Sequence, residues 1–144
     1  MRTFRIQTIC LAVLFVGTLM AGSVIAGAAD TISGAITIDQ TMAKEIKPNA
    51  VLFITARTAM PDGKPGPVLA AKRVAPVIFP LKFMLGASDV MMGGPFQGKV
   101  FITARIKQGG TAGPAEPGDL EGSYVKNPVA VGTANVDLVI DKRY

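Results

Sequence analysis

Between residues 31 and 140, apolar and polar side chains alternate in short stretches separated by proline- and glycine-rich punctuation. A period of two marks strands with one buried face, because successive side chains of an extended chain point to opposite sides. Ile32, Ile36 and Ile38 alternate with Ser33 and Thr37, which predicts a strand over residues 31–38. Asp39 has the chemistry to cap a short helical turn, with Met42 and Ile46 on its apolar side. Further strands are predicted over residues 50–58, 67–74, 81–85 and 99–107, and a last one over 136–140. Residues 86–98 read as a loop, and residues 109–122, dense in Gly and Pro, as a long exposed one. Tyr124 and Val125 then suggest a short edge strand, limited by Pro128. About seven short strands with one helical turn describe an all-β sandwich of immunoglobulin-like or cupredoxin-like build.

One pentapeptide, Phe-Ile-Thr-Ala-Arg, occurs twice, at residues 53–57 and 101–105. Alternation places Leu52, Ile54 and Ala56 on one face of the first copy, and Val100, Ile102, Ala104 and Ile106 on one face of the second. Phe53, Thr55 and Arg57, and likewise Phe101, Thr103 and Arg105, occupy the opposite faces. No second pair of matching segments accompanies the repeat, so a duplicated half-domain is not indicated. The copies read as two core strands of one sandwich, with an outer Phe/Thr/Arg face as a candidate surface.

The N-terminus has a different pattern. Arg2 and Arg5 precede an apolar run over residues 6–25, and small residues crowd at 26–29, the order of a secretory signal peptide with cleavage after one of residues 26–29. The rival reading is an uncleaved membrane anchor. Cys10 lacks the context of a lipoprotein signal. Removing Arg2 and Arg5 lowers the net charge from +5 to +3 and leaves residues 30–144 as one domain without Cys, His or Trp. Such a domain must rest on its apolar core. With no basic cluster interleaved with aromatics, nucleic acid is not an expected partner.

Without Cys or His, nucleophilic triads, histidine bases, tetrahedral zinc sites and blue-copper sites are excluded from residues 30–144. Asp89, Glu116, Asp119 and Glu121 read as loop carboxylates that nothing in the sequence pairs across a cleft. The expectation is a non-enzymatic protein with no cofactor. Met91 and Met92, with Met84 from the preceding strand, form a candidate soft-metal set. The competing readings are a loop that tucks one Met into the core and an apolar partner-binding loop that includes Phe96. Arg57 and Arg105 read either as structural ion pairs, near Asp137 or Asp141 of the last strand, or as part of a basic, aromatic surface for an acidic or amphipathic peptide. The partner-binding candidates are therefore Phe53, Arg57, Phe101, Arg105, Met91, Met92 and Phe96.

The order of segments also resembles a known family. Val51-Leu52-Phe53-Ile54-Thr55-Ala56-Arg57 is followed by Pro67-Val68-Leu69-Ala70-Ala71-Lys72-Arg73 and Phe79-Pro80-Leu81-Lys82-Phe83. The Met91-Met92 loop, the Ala104-Arg105-Ile106 strand and Pro117-Gly118-Asp119-Leu120-Glu121-Gly122 complete the series. This series is similar to the C-terminal periplasmic domain of CycH-type cytochrome c maturation proteins, over about residues 32–140. The resemblance implies an immunoglobulin-like domain of the periplasm acting as a chaperone-like binding module. Its implied partners are apocytochrome c or another exported protein, with the haem-ligation machinery as a further contact. In that family the domain accompanies tetratricopeptide repeats in a membrane-anchored subunit, whereas the expectation here is a signal peptide followed by a freestanding exported domain.

Overall fold

The alternating stretches become two sheets packed as a sandwich in the computed structural model, which describes residues 30–144. The expected signal peptide, its cleavage positions and Cys10 lie outside the described residues. In chain order the strands are β1 (Ile32–Ile38), β2 (Val51–Ala59), β3 (Pro65–Val74), β4 (Leu81–Leu85) and β5 (Lys99–Lys107). They continue with β6 (Leu120–Ser123), β7 (Val129–Ala130), β8 (Leu138–Ile140) and β9 (Lys142–Arg143). A helical turn, α1 (Gln40–Ala43), follows β1, and a 3-10 turn spans Ala87–Asp89. As expected, Asp39 caps α1, accepting from Thr41 N at 2.8 Å. Hydrogen bonds from the Thr41 hydroxyl and N–H hold the Asp39 carboxyl below its ordinary value.

The smaller sheet has the order β4-β1-β8, with β4 antiparallel and β8 parallel to β1. The larger runs β3-β2-β5-β6-β9, and β7 also pairs with β5. Between them lies the core. Ile32, Ile36, Leu85, Leu138 and Ile140 come from the small sheet, and Leu52, Ile54, Ile102, Ile106 and Leu120 from the large one. The apolar faces predicted for both pentapeptide copies are the ones buried.

Two expectations need correction. Residues 119–122 are not exposed loop: Leu120–Ser123 is a strand paired with β5, and Asp119, Leu120, Glu121 and Gly122 are buried. Tyr124-Val125 is not a strand. Its one ladder-like bond is from Tyr124 N to Ile102 O at 3.1 Å, and the Asn127 side chain then accepts from Ile102 N and donates to Ile102 O, both at 2.9 Å. The amide imitates a strand residue for one position before β7 resumes the ladder. Gly122 explains why β6 escaped the pattern: a Cβ there would collide with the Val139 carbonyl, so only glycine lets β6 pass this close to the small sheet.

The exposed edges are partly covered. Along β3, Val90 forms a bridge with Ala70 and Met91 N donates to Leu69 O at 3.0 Å. On β4, Lys72 Nζ donates to Met84 O at 2.5 Å.

Candidate partner-binding groove

The two pentapeptide strands are neighbours, antiparallel, and in a register that sets the repeat against itself. Phe53 faces Arg105, Thr55 faces Thr103, and Arg57 faces Phe101. Identical sequences paired this way about Thr55 and Thr103 have a local two-fold symmetry, with a Phe–Arg pair at each end. These six side chains form the floor of a groove of about 890 Å³ on the outer face of the large sheet. Pro65, Val68 and Met91 border it on the β3 side, Tyr124 and Asn127 beside β6, and Ala112, Gly113 and Pro114 at one end.

The surroundings break the symmetry. In the cross-strand register Arg105 faces Glu121 of β6. Arg105 Nε donates to Glu121 Oε2 at 2.6 Å, and Nη2 converges on the same oxygen to complete the ion pair. Tyr144 adds a hydroxyl donor to Glu121 Oε1 at 2.9 Å, and its ring centroid lies 5.2 Å from the Arg105 guanidinium carbon. Burial alone would lower the Arg105 pKa, but Glu121 outweighs it and raises it. The expected acidic neighbours, Asp137 and Asp141, are not its partners; Asp137 instead accepts from Ala35 N on the small sheet.

Arg57 has the opposite setting. On β3 its cross-strand neighbour is Val68, at a register irregularity, and its Nη1 donates to the Gly66 carbonyl at 3.3 Å. Among the described residues no carboxylate forms an ion pair with it. The Arg57 side chain is exposed, while Phe53, Thr55, Phe101 and Thr103 are half-buried.

Beyond Arg105, Lys107 is buried under the segment that follows β5. Its Nζ pairs with Asp119 at 2.7 Å and Glu116 at 2.9 Å, and donates to Pro114 O at 2.6 Å. Asp119 also accepts from Gln108 N and Glu116 N. The hydrogen bond to Asp119 raises the Lys107 pKa against the opposing effect of burial. For Asp119, burial pushes upward, but the donors from Lys107, Gln108 and Glu116 prevail and hold it below its ordinary value. This ionic cluster fastens the Ala112–Pro114 wall to the sheet. Sequence reading missed it because its members look like separate loop charges. The one local sign was Asp119 directly before an apolar position.

The methionine loop divides. Met91 borders the groove, while Met92 is 89% exposed and Met84 lies on the small sheet beside a shallow depression with Lys82 and Asp137. Of the three methionines expected as a soft-metal set, Met91 and Met84 thus border different depressions. Phe96, expected on an apolar binding loop, is 1% exposed and belongs to the core. Glycines at 93, 94 and 98 with positive φ fold the loop so that its aromatic ring turns inward.

Two packed sheets with this strand order define an immunoglobulin-like sandwich. The chain belongs to the family of the cytochrome c-type biogenesis protein H Ig-like domain, whose profile matches residues 32–141. Among solved structures, an alternative pilotin from the type II secretion system of Vibrio cholerae is similar at 16% identity and a TM-score of 0.43. That match covers 78% of this chain and 96% of the pilotin. No curated protein matches the sequence.

Proposed function

We propose that this domain is a non-enzymatic module of the periplasm that holds a segment of an exported protein, a c-type cytochrome precursor, in the groove over the Phe-Ile-Thr-Ala-Arg strands. The observation that carries the reading is the groove itself: an open cleft of about 890 Å³ floored by half-buried Phe53 and Phe101, with Thr55, Thr103, Arg57 and Arg105 among them. Apolar floors with a few directional polar groups favour amphipathic segments. The family supports a partner from the maturation pathway, because the matching domain is that of a cytochrome c-type biogenesis protein. The lack of Cys after residue 29 suits a domain that handles thiol-bearing precursors, as no mixed disulfide can form with it. A non-enzymatic role is supported by the engagement of the groove's acid, Glu121, with Arg105 and Tyr144.

The test is capture of apocytochrome c, and of its C-terminal peptide, by the immobilised protein. Capture above a scrambled peptide is expected, with a loss of about tenfold or more in the Phe53→Ala, Phe101→Ala double variant. Equal retention of scrambled and authentic peptides overturns the reading.

A further inference from the structure

The two ends of the groove carry the same residues but not the same charge. At one end Arg105 is neutralised by Glu121, and Lys107 by Asp119 and Glu116. At the other, Arg57 meets only the Gly66 carbonyl, which takes one of the five N–H donors of a guanidinium. Lys99, on the same face of β5 two positions beyond Phe101, adds a second positive charge at that end. The nearest acid in the β2–β3 turn, Asp62, accepts from Lys64 N and forms no ion pair among the described residues. Apolar surface from Phe101, Val68 and Met91 lines the groove alongside this guanidinium, which has no carboxylate partner among the described residues.

From this asymmetry we infer that Arg57 is the carboxylate-reading position of the groove, taking an acidic group that adjoins an apolar side chain in the bound segment. The inference rests on the groove being a docking site for peptide and adds the chemistry of what is docked. A guanidinium binds a carboxylate bidentately. Phe101 supplies the apolar contact alongside. Because Arg105 is already engaged, the two-fold floor accepts the acid at one end only, which fixes the direction in which a segment lies. The source of the carboxylate is a Glu or Asp side chain or the end of a chain, and the chemistry at Arg57 is the same for each.

Two probe sets test the assignment with the whole protein. First, 4-phenylbutyrate and its neutral amide are titrated while the arginine Nε–H resonances are followed by NMR. The expected result is a saturable shift at Arg57 with the acid only. In the Glu121→Gln variant, which releases Arg105, a second shift is expected at Arg105. Second, short apolar peptides are compared carrying Glu or Gln, and free or amidated C-termini. Arg57→Gln should weaken the acid-bearing peptides about tenfold and leave the neutral ones unchanged, and whichever acid is affected identifies the source. An unmoved Arg57 resonance, or equal weakening of acidic and neutral peptides, overturns the assignment. Shifts at Arg57 on concentrating the protein alone also overturn it, because a second copy then fills the site. Failure of apocytochrome capture with an intact phenylbutyrate shift supports the Arg57 site and rejects only the cytochrome reading.

Discussion

Phe96 and Met92 lie in one loop and have opposite fates, which makes them a clean comparison of what a side chain contributes. Phe96 is sealed in the core, so Phe96→Ala should cost about 3 kcal/mol from lost apolar contact and the cavity it leaves. Met92→Ala, at an exposed position, should stay within about 0.5 kcal/mol. Urea unfolding of both variants measures the difference, and equal midpoints would contradict the packing described. The fate of Phe96 could not be read locally, because it depends on how three glycines curl the loop. Arg57 and Arg105 make the same point about the groove. Each ends an identical pentapeptide, so nothing nearby in sequence distinguishes them. Glu121, contributed by a strand that the sequence pattern hides, does.

At the scale of elements, β1 to β5 were legible because apolar and polar positions alternate and each has a stop signal, Asp39 for β1 and a Pro or Gly within two residues for β2 to β5, and the predicted bounds fall within a few residues of those observed. β6 was not, since Leu120 is its only strongly apolar residue and glycine occupies the next core-side position. Glycine signals flexibility in a loop, but at 122 it permits close passage of two backbones. Gly122→Ala should therefore destabilise the protein by about 3 kcal/mol, since the obstructing atom is a backbone carbonyl that cannot swing aside. A thermal melt reads this directly, and an unchanged melting temperature would show that the sheets part at low cost there. Loss of β6 pairing would also remove Glu121 from Arg105, so the same variant should alter the groove. The outer face of the pentapeptide strands was visible in advance as a stripe of Phe, Thr and Arg. Its self-paired register was not, because register is set by contacts between strands rather than within them.

For the molecule as a whole, the charges give a definite pH response. Asp119 has its pKa depressed in the folded state, so its contribution is present above the ordinary value of 3.8 and lost as pH falls through the lower, folded value. Lys107 has its pKa raised, so its contribution is present below 10.5 and lost as pH rises through the higher, folded value. The chain has no histidine to titrate between these limits. Melting temperature should thus be level from about pH 5 to about pH 9 and fall on both sides. The Asp119→Asn variant should show a shallower acid limb, and a steep change near neutrality in the parent protein would contradict the assignment. The edges of the sandwich bear on its conduct in a crowded compartment. Unpaired strand edges are templates on which one chain recruits another into a growing ladder. Here Val90 and Met91 occupy part of the β3 border, and Lys72 occupies the Met84 carbonyl of β4. The broad outer face of the large sheet is therefore more open to approach than these covered stretches of rim, so self-association by ladder growth is discouraged there without closing the groove.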